Sequence, residues 1–282
     1  MRGYKYRAVN KYSLDILESN NIYFSRYTDF NDPFEFSTPF PNVVNMFARV
    51  SEKIDFLHKT DIFDATSYKH LKTVCENIIK NGSATLETTH KSIREKLEKV
   101  GICSLSKVND EILMWSHYAD NHKGFCIGFD DLHKNTKPHT KPLPINYKTN
   151  FTDLDDPELI INFYTDIFHK FKDLPKAAWE SKRANLARKM TFEDDQRGGI
   201  SILTDKYKKW EYEQEFRLID ERYFGLKEFN PSCLKSITFG LRANIEDREN
   251  VIETCKKNKK MNVEFFQATK AHGAFKLEII KI

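Results

Sequence analysis

The residues best suited to chemistry lie in one run, Trp210-Glu211-Tyr212-Glu213-Gln214-Glu215-Phe216-Arg217-Leu218-Ile219. Read as a strand, its side chains alternate between two faces. Trp210, Tyr212, Phe216 and Leu218 make one face, suited to burial. Glu211, Glu213, Glu215 and Arg217 make the other. Carboxylates in a row repel each other, which leaves two readings. The face is a solvated, salt-bridged sheet surface, or it lines a cleft. In a cleft, Glu213 and Glu215 would stabilise a developing cation or handle protons.

Four further segments carry reactive or binding side chains. Arg7 closes the aromatic run Tyr4-Lys5-Tyr6-Arg7, where a guanidinium needs a carboxylate or a phosphate as partner. Ser104-Leu105-Ser106 puts two hydroxyls on one strand face, with no nucleophile elbow or Ser-His-Asp order beside them. Met114 to Gly124 gathers Trp115, His117, Tyr118 and His122, and the segment from 111 to 122 is expected to be helical. Its two histidines are five apart and lie poorly on one face for zinc, so no metal is expected. Trp115 then reads as core beside a hydrogen-bonded His117, or His117 or Tyr118 lines a ligand pocket. Asp29, Asp32 and Glu35 would suit a metal-dependent nuclease if they met, although Asn31-Asp32-Pro33 also reads as a turn. Phosphate-cradling glycine loops are missing from the sequence.

The elements that must position these groups alternate irregularly. Strands are expected at Tyr4 to Val9, Ile22 to Ser25, Gly101 to Ser106, Phe125 to Phe129, Leu143 to Tyr147, Tyr212 to Ile219 and Ser236 to Phe239. Ser13 is placed to cap a short helix. Val43, Phe47, Val50, Ile54 and Leu57 make a helical stripe, and Tyr68, Leu71, Cys75 and Ile78 make a second. A further helical block is expected at about 156 to 193, with Phe163, Ile167 and Phe171 on one side. The chain ends in a hairpin turning at His272-Gly273. Without βαβ alternation, this predicts one α+β domain over 1–282, with a mixed or antiparallel sheet and helical insertions at about 43–100 and 156–193.

Composition bounds the rest. The 282 residues are 40% hydrophobic and 30% charged, with 22 Phe and 12 Tyr to build a core. A membrane-spanning run and a secretory segment behind Met1 are both missing, which predicts a soluble cytoplasmic protein with no membrane partner. Five scattered cysteines read as reduced thiols. Forty-five basic and 41 acidic residues leave a mild net charge of +4, compatible with a nucleic-acid partner.

Several motifs together resemble a known bacterial family. Tyr-x-Tyr-Arg, Leu-x-Ile-Leu, Ile-Tyr-Phe-Ser and Asp-Phe-Asn-Asp-Pro-Phe come first. Cys103 to Ser106, Met114 to Ala119, Gly124 to Phe129 and Trp210 to Arg217 follow. In this order they resemble domain of unknown function 2971, a label that carries no activity. A more distant similarity is to the ADP-ribosyltransferases, from an Arg strand, a Ser-x-Ser strand and a Glu-x-Glu strand in that order. The opening strand-helix-strand also looks like that of members that modify DNA or RNA.

This second resemblance implies a split sheet and NAD as co-substrate. Arg7 would hold the diphosphate, and Tyr23, Ser25, Ser104, Ser106, His117 and Tyr118 would line the cofactor site. Ser104 would prop Glu215, which would stabilise the oxocarbenium-like ribose, and Glu213 would orient or deprotonate the acceptor. It further implies a toxin or phage-defence effector, with a nucleic-acid or protein acceptor and a neutralising antitoxin protein as partners. The alternatives are a non-catalytic binding or regulatory module and the nuclease.

Overall fold

A computed structural model describes residues 1–60, 65–163, 199–258 and 262–282. The chain divides into two compact units. The first comprises Met1–Asp32, Lys99–Thr149 and Lys206–Ile282, and the second Pro33–Glu98 and Asn150–Asp205. The ranges expected as helical insertions fall mostly within the second unit. Most of the block expected at 156–193, including Ile167 and Phe171, lies outside the described residues.

The first unit is built on a mixed eight-stranded sheet. In chain order the strands are β1 (Arg2–Arg7), β2 (Asn21–Phe24), β3 (Gly101–Ser106), β4 (Phe125–Asp130), β5 (Lys141–Pro144), β6 (Asn146–Lys148), β7 (Asp205–Tyr207), β8 (Glu215–Asp220), β9 (Gly225–Glu228), β10 (Leu234–Phe239), β11 (Glu264–Lys270) and β12 (Leu277–Lys281). The large sheet runs β12-β11-β10-β4-β1-β3-β8-β5, with β2-β9 and β6-β7 as separate pairs. Only β10 and β11 are parallel there, because a helix (Ile245–Lys257) joins them in a crossover. The other neighbours are antiparallel. The chain is therefore α+β with a mixed sheet.

Each face of this sheet has its own core. Cys103, Leu105, Phe125, Ile127, Phe129, Phe216 and Leu218 pack with Ile16 and Leu17 of helix α1 (Lys11–Ser19) and with Val251 and Cys255. Tyr6, Cys126, Ala268 and Leu277 pack instead against Met114, Trp115 and Ala119. Strand alternation assigns the faces. Asn10, not Ser13, caps α1, and Ser13 returns a bond to the Asn10 amide from three residues on.

In the second unit the helical stripes behave as their periodicity predicts. Helix α2 (Val43–Lys59) buries Val43, Met46, Phe47, Val50 and Ile54. Helix α3 (Ala65–Lys80) meets it through Leu71 and Cys75, with Ile160 and Ile161 in the same core. A third helix, α4, spans Gly82–Leu97. Among the described residues no helix is long and apolar enough to cross a membrane.

Candidate functional site

The strand expected from Tyr212 starts only at Glu215. Residues Lys208–Glu213 form a 3-10 turn, and Gln214 closes it in the left-handed region at φ 43°. That single residue turns the chain so that Glu213 and Glu215 flank it without strict strand alternation. All six residues of β8 are buried, so the solvated-face reading is corrected. Burial extends to Glu213 (3% exposed), Glu215 (5%) and Arg217 (0%).

Buried charges require partners, and these come from within the group. Lys206, also buried, reaches Glu213 Oε2 at very short range and Glu215 Oε2 at 2.8 Å. Arg217 Nε donates to Glu215 Oε1 at 2.8 Å, and its guanidinium lies 5.4 Å from the Phe30 ring centre. The Tyr118 hydroxyl donates to Glu213 Oε1 at 2.7 Å. Among the described residues two cations and two carboxylates thus meet in a buried tetrad.

Backbone bonds hold the tetrad in place. Ser106 Oγ donates to the Glu213 carbonyl at 2.7 Å and accepts from the Val108 amide at 3.1 Å. The Lys107 amide donates to the Gln214 carbonyl at 3.1 Å. The Glu215 amide donates to the Tyr147 hydroxyl at 2.8 Å.

The two carboxyls are driven apart electrostatically. Burial pushes Glu213 up to about 7, with the charge of Glu215 adding to the rise and Lys206 opposing it. Burial would raise Glu215 too, but Arg217 and Lys206 outweigh it and hold that carboxyl well below the ordinary range. Such separation is what an acid-base pair needs. Tyr118 is raised by burial and by Glu213, which keeps it a donor.

Arg7 does not join this group. Register pairs Tyr4 with Ser106 and Ser106 with Glu215, so these three share one face. Ser104 and Arg217, paired across the same strands, share it as well. Lys5 and Arg7 alternate with Tyr4 and Tyr6 and sit opposite Ile127 and Phe125, on the other face. The expected convergence of Arg7, Ser104 and Glu215 is therefore corrected by the pleat itself.

Lys5 and Arg7 are nonetheless an unusual pair. They lie half-buried side by side, and neither has a carboxylate partner among the described residues. Burial pulls Lys5 down to about 8, and the charge of Arg7 adds to the fall. Burial lowers Arg7 also. Both stand where β1 parts from β3. The β1–β3 ladder registers only at Tyr4 and Ser106. Further along the same edge of β3, Lys5 Nζ caps the Ser104 carbonyl at 3.0 Å, and Ser25 bridges to Ile102. The opening thus gathers Lys5, Ser25 and the Ser104 carbonyl, and Glu215 raises Lys5 electrostatically across it.

The other expected residues divide. Ser104 Oγ is buried without a hydrogen-bond partner, so Ser106 and not Ser104 supports a glutamate. Tyr23 is exposed on β2, paired with Leu226 of β9. The helix expected over 111–122 ends early, as α5 (Ile112–Tyr118). Asp120, Asn121 and His122 follow in left-handed conformation, and His122, not His117, forms the hydrogen bond, to Ser116. His117 is exposed, with Trp210 and Tyr212 at 6.3 and 6.4 Å between ring centres. Among the described residues no three His, Cys, Asp or Glu side chains are grouped to hold a metal ion, and Asp29, Asp32 and Glu35 form no such cluster.

Lys206, Tyr147 and Lys5 are absent from the residues that spacing nominated. Lys206 had a partial signal, as one of three lysines, with Lys208 and Lys209, just ahead of the glutamates. Tyr147 had none, since its place depends on β6 and β8 meeting.

Residues 114–218 match the sequence profile of a family described as a protein of unknown function, DUF2971. The match covers a little over a third of the chain. The matched segment includes Tyr118, Tyr147 and all four tetrad residues, and leaves out Arg7 and β3. No curated protein and no solved structure matches the chain.

Proposed function

We propose that this protein is an NAD-dependent transferase of the ADP-ribosyltransferase kind, acting on a nucleic-acid or protein acceptor. The observation that carries the reading is the adjacency of three strands. The Glu-x-Glu segment opening β8 pairs with the Ser-x-Ser segment of β3, Ser106 opposite Glu215. β3 in turn parts from β1 where Lys5 and Arg7 stand without carboxylate partners. Two uncompensated cations fit a diphosphate. Glu215, on the opposite face of the sheet but near enough to raise Lys5 electrostatically, is the carboxylate that a reaction building positive charge on a ribose would use.

In that reaction the bond between nicotinamide and ribose C1′ breaks, and nicotinamide leaves with the bonding electrons. The acceptor forms the new bond to C1′ and gives up its proton to a base. Glu213 suits that last task better than Glu215, because its proton affinity lies near neutrality. Lys5 and Arg7 would bind the diphosphate, and Ser25 lies at the same opening. A role as toxin or phage-defence effector, with an antitoxin partner, follows from resemblance and belongs to the proposal.

A second reading has its own observation. The tetrad pairs its charges in the interior, with no member more than 8% exposed, as in a structural charge cluster of a non-catalytic module.

Nicotinamide release from NAD, with wild type compared with Glu213→Gln and Arg7→Gln, decides between them. The transferase reading expects release, lowered by about a hundredfold or more in Glu213→Gln. No release from folded wild type, with acceptor-rich lysate present, overturns it in favour of the module.

A further inference from the structure

Next to the tetrad, the surface carries aromatic rings interleaved with lysines. His117, Trp210 and Tyr212 form a triangle with ring centres 6.0 to 6.4 Å apart. His117 is exposed, and Trp210 and Tyr212 are half-buried. Lys206 Nζ lies 5.4 Å from the Trp210 ring centre, on its tetrad side. The same short segment exposes Tyr207, Lys208 and Lys209. Neither Lys208 nor Lys209 is ion-paired among the described residues. Lys107, also exposed, is tied alongside through its amide bond to Gln214, and Glu211 is the one acid within the run from Lys206 to Tyr212.

This arrangement is poorly explained by folding alone. A Trp and a Tyr with partly open faces, beside unpaired lysines, give up burial that the core beneath them would reward. The chemistry they offer is stacking plus phosphate neutralisation, the combination that holds unpaired bases and their backbone. A duplex hides its base faces, so a single strand is the matching form.

We propose that the His117–Trp210–Tyr212 triangle with Lys208 and Lys209 binds single-stranded nucleic acid. One base stacks in the triangle, and the flanking phosphates meet the two lysines. As the place where an acceptor base is presented to Glu213, the surface rests on the transferase reading. As a binding surface it stands without it.

The test is fluorescence anisotropy of a labelled single-stranded oligonucleotide of about twelve nucleotides, without NAD. The expected result is binding that weakens as salt rises, and a loss of about tenfold or more in Lys208→Gln/Lys209→Gln. His117→Ala, an exposed change that spares the core, should weaken binding at constant salt slope. Absence of binding at low salt, binding unchanged in both variants, or preference for a duplex overturns the proposal. Equal binding of an acidic peptide of similar length overturns the choice of nucleic acid. Nicotinamide release measured in parallel keeps the two proposals apart. The lysine variant should release nicotinamide into water as wild type does. Release without oligonucleotide binding sinks only this surface, and binding without release sinks only the transferase.

Discussion

Ser106 ties the Ser-x-Ser strand to the glutamate turn by donating its hydroxyl to the Glu213 carbonyl at 2.7 Å. Ser104, two residues earlier on the same strand face, bonds to nothing through its hydroxyl. The two serines should therefore respond in opposite ways. Ser106→Ala leaves a buried carbonyl and the Val108 amide short of a partner, and should cost about 1–3 kcal/mol. Ser104→Ala removes a hydroxyl that is already unsatisfied, and should be neutral or slightly stabilising. Urea denaturation of the two variants checks this, and equal losses would contradict the assignment.

Lys206 bonds both glutamates at once. Lys206→Met keeps most of the volume but removes the ammonium that bonds both buried carboxyls. A loss of about 3–5 kcal/mol is expected at neutral pH. The loss should shrink in acid, because protonating Glu213 relieves the repulsion. Thermal melts at about pH 5 and about pH 8, on either side of the Glu213 transition, read the difference.

The tetrad also shapes the pH dependence of stability. Glu213 titrates at about 7 in the fold and at about 4.3 in an unfolded chain. Between these values the folded state holds a proton that the unfolded state has lost. Stability from this group therefore falls as pH rises through that window. Glu215 works in the opposite sense. Its folded value is depressed, so its contribution is present above the unfolded value and is lost as pH falls toward the folded one. Glu213→Gln should flatten the neutral-side slope, and Glu215→Gln should lower stability there. Denaturant midpoints across the range decide, and an unchanged slope in Glu213→Gln would falsify the assignment.

Gly124 follows the left-handed turn at Asp120 to His122. A Cβ at this position would lie 2.0 Å from the Arg7 carbonyl oxygen and 3.1 Å from that of Ala119. Backbone cannot retreat as a side chain can, so Gly124→Ala should cost about 3 kcal/mol or more. Circular dichroism melts measure it, and a variant as stable as wild type would show that β1 does not approach so closely.

How much of this was legible in the sequence depended on range. The stripe Val43, Phe47, Val50 and Ile54 repeats at helical spacing, and those residues are the buried face of α2. The strands opening the chain and the final hairpin were equally local signals. The tetrad was legible only in part. Glu213, Glu215 and Arg217 stood out by type, but period-two reasoning placed them on a solvated or cleft-lining strand face. Gln214 in left-handed conformation broke that period, and residues without glycine give little warning of it. The misplacement of Arg7 has a different cause. Which face a strand residue takes is fixed by register between distant strands, here Tyr4 with Ser106.

The strand β5, Lys141-Pro142-Leu143-Pro144, pairs with β8 through Pro142 opposite Leu218 and Pro144 opposite Phe216. Both prolines have the same parity, so the amide hydrogens they lack belong to one side of the strand, the side turned away from β8. That border of the sheet offers a stranger chain almost no donors to zip onto. It protects the glutamate strand from templated misassembly during synthesis, when partly folded copies are crowded and sheet borders are most contagious.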